Sequence, residues 1–184
     1  PSFANSQRDR IVQEVLFTDS ECQSLIDGVT EWNSARLVQK GTGTEINYGY
    51  LDTSHRNASE GKYELSDSLK TMLLNKVGKW NIHNLLRIAR INKYETGNYF
   101  KKHVDKTKRL YSDRLKTLII NLSNPSDFEG GGLTLYYGTE QTVMNTTRGN
   151  VIIFDSDIKH EAHTVTSGVR YTFTTWLNSN HITL

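Results

Sequence analysis

The chain has 184 residues, with 22 basic and 20 acidic side chains, a formal net charge of +2 and 36% hydrophobic residues, which allows one domain with a core and demands neither nucleic acid nor a membrane as partner. Its single cysteine, Cys22, excludes an internal disulfide framework and an all-cysteine metal site, and fits a reducing cytoplasm. No apolar run approaches the roughly 20 residues that a membrane helix needs, and no signal-peptide segment is expected at the start.

The first half reads as helical. Thr18 and Glu21 have capping-box spacing, with Phe17 set to staple against Cys22. Cys22, Leu25, Ile26, Val29 and Trp32 then follow a helical stripe. Residues 33–60 are polar and Gly-rich with little periodicity, so loops and short strands are expected there. Leu65, Leu69, Met72, Leu73, Val77 and Trp80 return to helical spacing and predict a helix over roughly 66–80.

From Leu85 the texture changes to short β-type runs: 85–94, 115–122, 132–138, 150–154 and 169–177, broken by ETGN, SNPSDFEGGG, RGN and TSG. No helix-length pattern separates the later runs, which argues for antiparallel pairing and a sandwich or jelly roll. In the last run, alternation places Val169, Tyr171, Phe173, Thr175 and Leu177 on one face and Arg170, Thr172, Thr174 and Trp176 on the other. The second face is either a pocket lining or a solvated surface.

Several side chains are potential metal ligands. In an extended segment His103 and Asp105 project to the same side and can share one ion. His160 and His163 compete for a third position, ten and seven residues before Arg170. Two imidazoles and a carboxylate on one face of a metal leave its other positions open, as in non-haem Fe(II) oxygenases. An arginine offers a planar fork for a carboxylate. Lys101, Lys102, Lys106, Lys108 and Arg109 frame the HxD and either steer an anion toward it or form a solvated loop.

Residues 87–177 resemble the 2-oxoglutarate/Fe(II)-dependent dioxygenases, specifically the prolyl 4-hydroxylase-like branch. The resemblance runs through Tyr94-Glu95-Thr96-Gly97-Asn98-Tyr99 into His103-Val104-Asp105, then RLKTLIINL, GGGLTLYYG, GNVIIF and HEAHTVTSGVR, and ends at Trp176. It implies a mainly β fold: a double-stranded β-helix (jelly-roll) core over about 85–178, flanked by two or three support helices within about 1–82, in a single domain 1–184. It selects His103, Asp105 and His160 as Fe(II) ligands, leaves out His163, and gives Arg170 the co-substrate's distal carboxylate, with Tyr94 and Thr117 as hydrogen-bond partners. Thr164 replaces the family's usual proline and Asn121 a usual tyrosine. Arg56 in HRNAS is similar to a substrate-side element of prolyl hydroxylases.

The implied activity is hydroxylation of a C–H bond, with a prolyl residue in a peptide or protein as leading substrate and a free amino acid or another side chain as the alternative. Fe(II), 2-oxoglutarate and O2 are the expected cofactors and co-substrates, with ascorbate as an optional reductant. Residues 33–60 are expected to lie over the metal mouth as a mobile lid, with Tyr48, Tyr50, Arg56 and Trp176 contacting substrate. Nucleic-acid substrates are disfavoured, because those relatives carry a second arginine where Trp176 stands. A non-catalytic jelly-roll module is the reading from another class. A metal-binding cupin is a third, disfavoured by the lack of a closely spaced HxH.

Overall fold

The computed structural model describes residues 10–35, 37–40, 46–50, 53–108 and 111–179, with backbone alone for 37–40 and 46–50. Two antiparallel sheets face one another. The larger runs in the order β1 (Ile11–Val15), β13 (Asn150–Asp155), β9 (Arg114–Asn121), β16 (Arg170–Asn178), β7 (Ile88–Tyr94), β6 (Ser59–Glu64) and β2 (Asn33–Ser34). The smaller runs β12 (Glu140–Val143), β11 (Leu133–Tyr137), β14 (Lys159–Ala162), β8 (Tyr99–His103) and β5 (Arg56–Asn57). Separate pairs join β3 (Leu37–Lys40) to β4 (Ile46–Tyr50) and β10 (Phe128–Gly130) to β15 (Val165–Gly168). This is the mainly β, jelly-roll class expected from the alternating runs.

Helix α1 (Asp19–Asp27) begins with the expected capping box: Thr18 Oγ1 accepts from the Glu21 amide at 3.2 Å, and Glu21 Oε1 accepts from the Thr18 amide at 2.9 Å. Such a cap contributes about 1 kcal/mol. The helix ends at Gly28, earlier than the stripe through Trp32 implied. A Cβ at Gly28 would sit 2.5 Å from the Tyr63 ring, so β6 packs against this turn. Val29 and Trp32 still cover the core, but from an irregular segment. Helix α2 (Asp67–Val77) is capped by Ser66 and runs into a 3-10 turn at Gly78–Trp80, as the second stripe predicts.

The outer face of the larger sheet carries the main core. Ala89, Ile91, Leu118, Ile120 and Phe173 pack there against Cys22, Leu25, Leu73 and Val77 of the two helices. A second cluster, Ile119, Leu133, Leu135, Met144, Ile152, Phe154 and Ile158, fills the space between the sheets at one end. Tyr94, Ala162 and Val165 belong to a third cluster. The uneven filling leaves a chamber of about 570 Å³ between the sheets.

One expectation needs correction. Residues 1–82 are not purely helical support, since β1 pairs with β13 and β6 pairs with β7 inside the larger sheet. The stretch 33–60 carries short strands among its loops, as expected: β2 to β5 and the start of β6. Its role as a lid rests on residues of which several, including 41–45, lie outside the described residues. The side chains of Tyr48 and Tyr50 also lie outside those described.

Candidate metal and co-substrate site

His103 ends β8 and His160 stands in β14, and the two are register partners across the smaller sheet. Asp105 follows β8 in a bend, its amide bonded to the Ser156 carbonyl at 3.0 Å. Together these side chains offer ligand atoms all within 4.8 Å of one another. His160 Nε2 lies 3.3 Å and His103 Nε2 3.6 Å from Asp105 Oδ1. His163 is outside this group, with Nε2 2.7 Å from Thr134 Oγ1.

The second nitrogen of each imidazole is fixed by the backbone. His103 Nδ1 donates to the Lys101 carbonyl at 2.6 Å, and His160 Nδ1 to the Ile158 carbonyl at 3.0 Å. A carbonyl only accepts, so Nδ1 carries a proton in each ring and both Nε2 atoms are turned to Asp105. Phe100 stacks on His103 at 3.5 Å between centroids, and Phe154 meets His160 edge-on at 4.8 Å. Asp105 Oδ2 accepts from Thr117 Oγ1 at 2.8 Å and from Trp176 Nε1 at 3.2 Å, leaving Oδ1 toward the imidazoles. Burial and the neighbouring His160 push His103 down to about 3. Burial works against charge on His160 too, but Asp105 prevails and raises it. Burial likewise opposes charge on Asp105, yet the two imidazoles hold its carboxyl well below the usual range. A buried carboxylate beside two imidazoles whose Nε2 atoms converge on it is the donor set of a divalent cation, and the residues present fit one.

At the end of the chamber toward β15, Arg170 opens β16 opposite Tyr94 of β7. Arg170 is 3% exposed. Its one hydrogen bond among the described residues is a long one, Nη2 to Asn121 Oδ1 at 3.5 Å, and its guanidinium carbon lies 5.6 Å from the Tyr94 ring. Burial lowers Arg170 and raises Tyr94, each disfavouring its charged form. The Tyr94 hydroxyl makes no hydrogen bond among the described residues. A buried cation without a carboxylate is expensive unless an anion comes to it. Arg170, Tyr94, Thr172, Thr174 and Trp176 all line the chamber, so this strand face is a pocket wall rather than a solvated surface.

Thr117 changes its assignment and Trp176 gains a second role. Thr117 is fully buried and spends its hydroxyl on Asp105 and, at 3.0 Å, on Ser156, so it orients a ligand instead of gripping the co-substrate. Trp176 lines the chamber, but its indole N–H is also committed to Asp105. The polar partner of Arg170 is Asn121, which the sequence marked only as a departure from the family's tyrosine. Arg56 borders the chamber, Lys101 stands at its mouth, and Arg109 lies outside the described residues.

The comparisons agree with this geometry. The sequence profile of the 2OG-Fe(II) oxygenase superfamily matches residues 89–178, which hold every ligand candidate and Arg170. A PKHD-type hydroxylase of Paraburkholderia xenovorans is 30% identical over 192 residues, covering 97% of this chain and 77% of the relative. The fold is shared with a Pseudomonas putida prolyl-4-hydroxylase at TM-score 0.69 and 14% identity, covering 97% of each chain. It is also shared with a Trichoplax adhaerens prolyl hydroxylase solved in complex with a hypoxia inducible factor peptide fragment, at TM-score 0.66 and 15% identity, covering 96% and 86%. With two imidazoles and a carboxylate converging beside a buried arginine, and relatives matching along nearly the whole chain, this protein belongs to the 2OG-Fe(II) oxygenases of prolyl 4-hydroxylase-like type and is a 2-oxoglutarate-dependent dioxygenase.

Proposed function

We propose that this dioxygenase hydroxylates a prolyl residue in a peptide or protein, with Fe(II) held by His103, Asp105 and His160. In this reading Arg170 and Tyr94 grip the distal carboxylate of 2-oxoglutarate. The observation that carries it is the pairing of a closed ligand triad with a buried, under-partnered arginine along one chamber wall. Bound iron with 2-oxoglutarate supplies O2 activation, yielding succinate, CO2 and a hydroxylated C–H bond.

The chain's own contribution is position and charge. Lys101 and Ile158 carbonyls fix the imidazoles, Thr117 and Trp176 fix the carboxylate, and the apolar residues around Phe154 keep that side of the site dry. No side chain is required as a base. The prolyl part is supported by likeness to prolyl hydroxylases, one of them solved with a peptide. Arg56 at the chamber edge is compatible with an extended substrate. Ascorbate is expected to sustain turnover as an external reductant. A reducing cytoplasm suits the free, buried Cys22, and no helix among the described residues is long and apolar enough to cross a membrane.

The test incubates proline-containing peptides with Fe(II), 2-oxoglutarate and O2. A gain of one oxygen atom, localised to proline by fragmentation and absent when proline is replaced by alanine, is the expected result. Hydroxylation confined to free amino acids or to other side chains would reject the prolyl reading.

A further inference from the structure

Among the described residues, four arginines line the chamber, which is more cation than one dicarboxylate co-substrate requires. Arg170 is accounted for above. The others, Arg56, Arg90 and Arg114, stand elsewhere on the wall. Arg90 lies opposite Thr174 in the β7–β16 register, four residues along these strands from the Arg170–Tyr94 pair. At about 3.3 Å per residue that separation is about 13 Å. A five-carbon diacid that faces Arg170 at one end and the triad at the other does not also neutralise Arg90.

Arg90 is also held in a particular way. Its Nη1 donates to both oxygens of Glu60, at 2.9 and 2.8 Å. Its Nε and Nη2 have no partner among the described residues, and its side chain is 29% exposed. Arg56 donates through Nη2 to Glu60 at 3.3 Å and to Asn92 Oδ1 at 3.0 Å. Among the described residues, the Glu60 carboxylate serves both guanidinium groups. Arg114 adds a third. Its guanidinium carbon stacks 3.9 Å from the Trp176 ring, Nη1 donates to the Asp105 carbonyl at 3.2 Å, and its buried Nε has no partner among the described residues. The wall on this flank of the triad thus presents guanidinium groups fixed by ion pairs and stacking, with the Nε and Nη2 edge of Arg90 left over, the arrangement that recognises a planar anion.

We propose that Arg90, held in place by Glu60, is a specificity-determining residue that receives a carboxylate of the primary substrate. The proposal rests on the dioxygenase reading and refines the substrate: a prolyl peptide would carry an acidic residue beside the target, while a free amino acid substrate would be acidic. The shared chemistry is the carboxylate, and the experiment separates its sources.

Binding is measured anaerobically on the full chain loaded with Fe(II) and 2-oxoglutarate, so that affinity is read without turnover. The probes are matched pairs that differ only in carboxylate against carboxamide: acetyl-Glu-Pro-amide with acetyl-Gln-Pro-amide, and free glutamate with free glutamine. At least one acidic member is expected to bind about tenfold or more tightly than its amide, the usual value of a hydrogen bond to a charged group. In Arg90→Gln that ratio should collapse toward one, and Arg90→Lys should restore part of it. Using the ratio within each variant cancels any general loss of folded protein. Wild-type ratios near one in both pairs would overturn the proposal, as would a ratio that Arg90→Gln leaves intact. A preference confined to free glutamate would sustain the carboxylate site and count against the prolyl reading. Hydroxylation of proline peptides with no carboxylate preference would do the reverse.

Discussion

The indole N–H of Trp176 donates to Asp105 Oδ2 at 3.2 Å, across 71 residues of chain. Trp176 and Thr117 are register partners on β16 and β9, so two neighbouring strands aim their donors at the same carboxylate oxygen. Oδ1 is thereby left to the imidazoles. Removing either donor should loosen the carboxylate without deleting a ligand. Trp176→Phe and Thr117→Val should each weaken Fe(II) binding about 10- to 100-fold, the usual cost of losing a ligand's outer partner. Metal titration checks this; unchanged affinity in both variants would show that these bonds do not hold the ligand.

Arg170→Ala should raise the 2-oxoglutarate dissociation constant steeply, since a buried carboxylate that loses its charged partner costs roughly 2–5 kcal/mol. Arg170→Lys keeps the charge but not the planar fork and should be partly tolerated. Calorimetric titration with 2-oxoglutarate decides, and equal affinity in wild type and Arg170→Ala would remove Arg170 from the co-substrate site.

Gly149 ties β1, β9 and the turn into β13 together, at φ +84° with its carbonyl accepting from the Leu16 amide. A Cβ there would lie 2.0 Å from the Phe17 carbonyl oxygen. Gly149→Ala should therefore destabilise the fold by at least about 1–3 kcal/mol, from left-handed strain plus the clash. A thermal melt unchanged from wild type would contradict this packing.

How far the sequence revealed this arrangement depended on how each residue is buried. The runs that became β7, β9, β11, β13 and β16 were legible because each buries apolar side chains in an alternating or continuous pattern. Strand β6 was not, because in SEGKYE the one buried residue is Gly61, which carries no hydrophobic signal. Strand β8 hid for a similar reason: YFKKH ends in a ligand and exposes two lysines. Within the site, His103, Asp105 and Arg170 showed through spacing and family likeness. The partners of Thr117 did not, since a hydroxyl on the inner face can bond a ligand or a co-substrate and only the position of Asp105 decides. The Glu60 bridge between Arg56 and Arg90 was equally hidden, in a stretch whose polar composition pointed to loops.

The most direct test of the central claim is succinate formation from 2-oxoglutarate, dependent on Fe(II) and O2, compared in His160→Ala and His163→Ala. His160 shares Asp105 with His103, whereas His163 is turned to Thr134. Wild type and His163→Ala should form succinate, and His160→Ala should not. Activity retained in His160→Ala, or lost in His163→Ala alone, would contradict the account.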